Sequence, residues 1–295
     1  MHSDTPLPDN SFPVRSPEVR DFFARLTFGF ALLIFLHRWL THTLVFQMHA
    51  PQVFSTGFDY TYWFYQASGF PRYFVDLPAG AFLFDTLLLL STLYCFFTAG
   101  RKWPAVLCCA GCWTLYALTY NHYSNHHNHT MFGIMVLPYA FLARGKKTFS
   151  LVWDGFRYLT LYVYTDAFVH KVLIAHNFFY FPNGVEFIKT NQAIYMLANP
   201  DSTLTKFYTF FITHPSIAYA GFVIMVLLQG SMIGGFFTKK WDKYLFFVPF
   251  IFHTLTWLFM DVFFYELLIL NITLLPFQQL QHKSPDNPPV PAAGQ

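Results

Sequence analysis

The sequence predicts an all-α fold, a polytopic transmembrane bundle of about eight helices, and three observations carry that expectation. First, only 11% of the 295 residues are charged, 55% are hydrophobic and the mean hydropathy is +0.36. Soluble domains carry about 25% charged residues. Second, the apolar residues gather in several runs of about 20, the length a helix needs to cross a bilayer. Third, the basic residues concentrate in compact turns, Arg101-Lys102, Arg144/Lys146/Lys147 and Lys239/Lys240/Lys243. The aromatic content of 22% suits lipid-facing surfaces and interfacial belts. The bilayer is therefore the expected partner, and nothing in the composition points to nucleic acid.

Taken in order, Met1 to Arg20 is polar, holds four prolines and has no apolar core, so it does not read as a cleavable signal peptide. Helix one is expected from Arg20 to Phe46, with His37 and Arg38 inside it. His49 to Pro78 is polar and aromatic and reads as an interfacial helix or packed loop. Helix two spans Gly80 to Ala99 and holds Asp85; helix three spans Trp103 to Leu118. Helix four is Met131 to Ala143. Helix five is Phe149 to about Ala175 and carries Asp166, His170 and Lys171. A long loop is expected from His176 to Thr205, with Pro182-Asn183-Gly184 as its turn signal. Helix six is Phe207 to Phe236, helix seven Tyr244 to Met260 and helix eight Val262 to Phe277, with Asp261 alone between the last two. The tail from Gln281 is Pro-rich, polar and expected to be disordered. The cysteines lie in apolar segments. Cys109-Ala110-Gly111-Cys112 has redox-motif spacing, but its mid-helix position favours buried, inert thiols.

With the N-terminus in the cytoplasm beside Arg15, Arg20 and Arg25, eight crossings put all three basic turns inside, as the positive-inside rule requires. The stretch from Asn121 to Thr130, with His122, His126, His127 and His129, then falls outside. Imidazole changes charge near neutral pH and can move a proton or ligate a metal, so chemistry is sought here.

The same orientation places Lys171, His170, His129, His253 and Glu266 in one outer-half layer. Ionisable groups in hydrocarbon cost roughly 2.5–3.5 kcal/mol each on insertion scales, so they face the bundle interior or water. An amine taken out of water gives up its proton more readily, which suits a lysine to act as a base. Structural roles compete with this reading. Asp166 and His170 are spaced to pair on one helix face, Lys171 can snorkel, and Glu266 or Asp85 can serve as a partner of Arg38 or of a backbone group. A metal reading competes as well. His122-x-x-x-His126-His127 has the spacing of membrane desaturases and hydroxylases, whose imidazoles hold iron. Those enzymes use about three such boxes, and His37, His42, His49, His176 and His214 supply no second one; the expected metal site is none.

Three segments resemble a known family. Asn128-His129-Thr130 opening an apolar helix is similar to a motif of the HTTM (horizontally transferred transmembrane) domain, the membrane domain of vitamin K-dependent gamma-glutamyl carboxylases and their bacterial relatives. Tyr164-Thr165-Asp166-Ala167-Phe168-Val169-His170-Lys171-Val172 resembles that family's lysine-bearing helix. Phe252-His253-Thr254, with Phe259 to Leu275 after it, resembles its segment before the last helix, and Arg25-Leu26-Thr27-Phe28-Gly29 resembles its opening. The segments occur in the family's order, over Val19 to Phe277. A membrane domain is thus expected over 19–280, between polar tails of 1–18 and 281–295.

The resemblance implies a multi-pass protein of a bacterial inner membrane with cytoplasmic termini. It implies no tightly bound cofactor, and reduced vitamin K or another quinol as co-substrate. Lys171 would be the base that deprotonates the quinol, His129 would stabilise the quinol oxygen, and His253 would line the same cavity. Asn128, His170 and Glu266 are the expected substrate-binding groups. In the family, the deprotonated quinol takes up oxygen, the strong base so formed removes a proton from glutamate, and the carbanion captures carbon dioxide. This chain departs in having His170 where the family has the first of two lysines, and Met131-Phe132 after the histidine motif. The soluble region that binds the protein substrate is expected to be absent. An enzyme acting on a quinol, a non-catalytic membrane scaffold and a histidine-ligated di-iron oxygenase stand as the three functional readings.

Overall fold

The computed structural model describes residues 17–48, 64–65, 67–74, 76–124, 131–261 and 263–275. Most of the aromatic segment after His49, both tails, and Asn128 and His129 lie outside the described residues. Among those described there is no strand, and ten substantial helices form rather than about eight. They are α1 (Pro17–Leu40), α2 (Pro78–Phe97), α3 (Trp103–Ser124), α4 (Phe132–Leu142), α5 (Lys146–Val169), α6 (Asn183–Ala198), α7 (Thr203–Thr213), α8 (Pro215–Phe237), α9 (Asp242–Met260) and α10 (Tyr265–Leu274).

Three of them, α2, α8 and α9, are long and apolar enough to cross a membrane. The chain is accordingly read as an integral membrane protein. The difference from eight spans has physical causes. The expected loop after His176 folds into α6 and part of α7. The expected sixth helix breaks at His214-Pro215, because a proline disfavours helical backbone in the residue before it and has no N–H to continue the ladder. α4 and α10 are apolar but short. α9 ends where Asp261 takes a left-handed conformation, φ 54°, so α9 and α10 are separate helices.

The chain divides into two compact units. The first comprises residues up to Arg157 together with Phe264–Ile272. Here α1 packs on α2 and α2 on α3, around the fully buried rings of Phe23, Phe28, Phe141, Phe149 and Trp153. α1 and α2 each begin with a proline, whose fixed φ suits the first turn. α2 ends with Ala99 and Gly100 both at positive φ, and the Gly100 N–H reaches back to the Cys95 carbonyl at 2.8 Å, closing the last turn. The Arg20 side chain then ties two helix ends together. Its guanidinium donates to the carbonyls of Ala99 (3.3 Å), Gly100 (2.9 Å), Phe141 (2.8 Å) and Ala143 (3.4 Å). Those acceptors are the ones a helix C-terminus leaves without intrahelical partners. The cysteines are free thiols.

The second unit comprises Tyr158–Phe263 and the residues from Thr273 onward. It contains the rest of α5, then α6 to α9. Ser202 caps α7 by accepting from the Thr205 N–H at 3.1 Å. Ile188, Tyr208 and Ala218 form its buried nucleus, and the Tyr208 hydroxyl donates to the Leu258 carbonyl at 2.8 Å. Glycines set the close approaches. A Cβ at Gly230 would meet the Phe168 ring, and one at Gly184 the Ala218 backbone.

Candidate functional site

α5 does not end as a regular helix. Its last turn, His170–Ile174, widens to π geometry, and the Ala175 N–H reaches the His170 carbonyl at 2.8 Å. Single π turns within α-helices recur at functional sites. This one carries His170 and Lys171. His170 is exposed, as is Asp166 one turn earlier. Lys171 is half-buried. Its Nζ donates to the Gln229 side-chain oxygen on α8 at 3.1 Å and to the Ala167 carbonyl of its own helix at 3.3 Å. Gln229 is only 3% exposed, so this contact holds the amine against the protein rather than leaving it to reach outward. No carboxylate pairs with Lys171 among the described residues.

His253 sits on α9, 1% exposed. Its Nε2 shares a hydrogen bond of 3.0 Å with the hydroxyl of Tyr164 on α5, itself buried. Tyr164 and Lys171 are two helical turns apart, about 10 Å along the axis. The two polar pairs, Lys171–Gln229 and His253–Tyr164, therefore occupy successive levels of the same unit.

The same unit holds a narrow apolar pocket lined by Phe187, Ile188, Phe211, Phe222, Met225 and Phe259 among others. On α8, Phe222, Met225 and Gln229 follow helical spacing and so share a face. The pocket wall thus runs within about one turn, roughly 6 Å of rise, of the amide that holds Lys171.

Glu266 falls in the first unit, on α10, where it forms a buried ion pair with Arg38 of α1. The Arg38 guanidinium lies over the Tyr120 ring at 3.8 Å and the Tyr265 ring at 5.2 Å. The Tyr265 hydroxyl shares a 2.8 Å hydrogen bond with His37 Nδ1. Asp85 accepts from the Phe46 N–H at 2.9 Å. Both carboxylates thus have structural partners, one a cation and one a backbone group. No group of three or more His, Cys, Asp or Glu among the described residues could hold a metal ion; the histidine stretch from Asn125 to Thr130 lies outside them.

Gln229 and Tyr164 are the site residues that hydropathy and motif reading miss. A readable signal exists for Gln229, the lone amide in the apolar run Val226-Leu227-Leu228-Gln229-Gly230, since a buried amide in such a run needs a partner. Comparison of the chain with protein-family models, with curated proteins and with solved structures finds no match.

Proposed function

We propose that this integral membrane protein acts on a lipid-soluble, quinol-like molecule with Lys171 as the base, in the manner of the HTTM domain of vitamin K-dependent carboxylases. The observation that carries the reading is the Lys171 amine, held by the neutral amide of Gln229 without a carboxylate beside it among the described residues. A lysine paired with an acid is committed as a cation; one held by an amide oxygen can take and release a proton. The step assigned to it is simple. The amine takes the proton of the quinol hydroxyl, leaving a phenolate and an ammonium that donates to Gln229 Oε1. The apolar face of α8 that Phe222 and Met225 share with Gln229 would pack against the ring and its hydrocarbon tail. His253 would line the cavity in the orientation Tyr164 sets. Exposed His170, beside Lys171 on the same turn, would bind the polar end of the substrate.

A non-catalytic role is the second reading, because the same two hydrogen bonds could serve only to bury a lysine. The two separate in one comparison. Consumption of a reduced naphthoquinone, with dioxygen supplied as the oxidant of the phenolate, is followed in the full chain in lipid, for the wild type and for Lys171→Ala, with the melting temperature of each. Lost consumption in a folded variant supports the base; unchanged consumption assigns the chain to the scaffold class.

A further inference from the structure

The first unit carries a second site, unrelated to the amine. A cleft of about 340 Å³ opens where the start of α1, the turn after α2, the end of α4 and the start of α5 converge. Its walls are Pro17, Arg20, Asp21, Arg101, Arg144, Lys146 and Phe149, four cations against one carboxylate. That carboxylate is already engaged, since Arg101 donates to Asp21 Oδ2 through Nε (3.1 Å) and Nη2. The Arg20 charge is fixed in the wall by the four carbonyls it caps. Arg144 and Lys146 are exposed and have no ion-pair partner among the described residues. Glu18, in the first turn of α1, is exposed and does not line the cleft. The cleft therefore holds uncompensated positive charge beside the N-termini of α1 and α5, while the opposing C-termini of α2 and α4 are capped by Arg20.

Its position selects the anion. α2 is a 20-residue apolar helix, about 30 Å long, matching the hydrocarbon thickness of a bilayer. Leu83, Leu87, Leu90 and Phe97 stand exposed along it, as expected of a face turned to acyl chains. Arg101 follows immediately, at headgroup level. Phe97 (72% exposed), Trp103 (50%) and Phe22 (47%) flank the cleft's basic residues in sequence, and an interfacial Trp at the end of a span is a common anchor. An anion drawn from the membrane carries apolar tails for which these exposed aromatic side chains are suited; a free phosphate would use none of them. We propose that the cleft binds the phosphate headgroup of an anionic phospholipid, from the cytoplasmic leaflet under the positive-inside orientation.

The test uses the full chain in vesicles of phosphatidylcholine doped with phosphatidylglycerol, scoring the lipid retained after purification. Wild type should retain phosphatidylglycerol in preference to phosphatidylcholine. Arg144→Gln/Lys146→Gln should weaken that preference by about 10- to 30-fold, the surface attraction of two lost cations, whereas Arg144→Lys/Lys146→Arg should keep it. Lys239→Gln/Lys240→Gln, an equal loss of charge at another basic turn, should leave it unchanged. Any one of four results overturns the proposal: no wild-type preference, an undiminished preference in a folded Arg144→Gln/Lys146→Gln variant, an equal loss in the Lys239/Lys240 control, or displacement of the lipid by inorganic phosphate at millimolar concentration. The last would assign the cleft to a soluble anion. If the glutamine pair does not fold, loss of preference on Arg101→Gln, whose side chain is 69% exposed, replaces it, and retained preference there overturns the proposal equally.

Discussion

Removing one side of the Arg38–Glu266 pair should destabilise the first unit far more than removing both. The carboxylate and guanidinium are 3% and 7% exposed, so neither can recover water when its partner goes. Leaving one buried charge uncompensated costs about 3–5 kcal/mol, whereas replacing both by apolar groups of similar volume is often neutral or better. Glu266→Gln should therefore lose about 3 kcal/mol. Arg38→Met should lose that and the ring contacts with Tyr120 and Tyr265, worth up to about 2 kcal/mol when desolvated. The double variant Arg38→Met/Glu266→Leu should lose no more than about 2 kcal/mol, so the cycle should give a coupling of several kcal/mol. The assay is denaturant-induced unfolding of the purified protein in one fixed detergent, read by tryptophan fluorescence. Additive penalties, or a Glu266→Gln cost under about 1 kcal/mol, would show that water reaches the pair and would refute the reasoning.

Four further variants have expected outcomes in the same assay. Arg20→Met leaves four helix-end carbonyls without their donor and should cost about 3 kcal/mol, since bonds from a charged donor contribute about 1.5–3 kcal/mol each but share one side chain. Gly133→Ala drives a methyl into the Glu266 carbonyl and Leu267 Cα and should cost about 1–3 kcal/mol. Gly111→Ala, with nothing within 4 Å of its new Cβ, should instead gain up to about 1 kcal/mol of helix propensity; equal effects at the two glycines would contradict the close α4–α10 approach. Asp261→Gly should be neutral to stabilising by about 1 kcal/mol, because its left-handed backbone carries a penalty that glycine lacks.

Composition reveals the class because it averages over many residues, and the all-helical, membrane-type chain follows from it directly. Local punctuation was legible too. Asp261 marks the end of α9, whereas α1 and α2 open at Pro17 and Pro78, ahead of the expected starts at Arg20 and Gly80. The span count was less so. Hydropathy averages across Pro215 and hides the break before it, and the polar residues of Asn183–Ala198 read as loop although they form a helix. The site was legible by residue type and not by partner. Lys171 announces itself as a charge in an apolar segment, but nothing local says that Gln229, 58 residues away, will hold it. Arg38 and Glu266, 228 residues apart, are the exception: their pairing was among the structural roles expected for Glu266, and it forms within the first unit. For Lys171, His253 and Glu266 the sequence offers depth in the membrane, and depth does not say which helices are neighbours.

The most direct test of Lys171 as a base is chemical rescue in the full chain reconstituted in lipid. Quinol consumption should fall by about 10²–10⁴-fold in Lys171→Ala, the range of general-base contributions. Added methylamine should restore part of it, and bulkier amines less, because the replacement base must fit beside Gln229. Consumption by Lys171→Ala at the wild-type rate, or a loss that no small amine restores in a folded protein, would contradict the account.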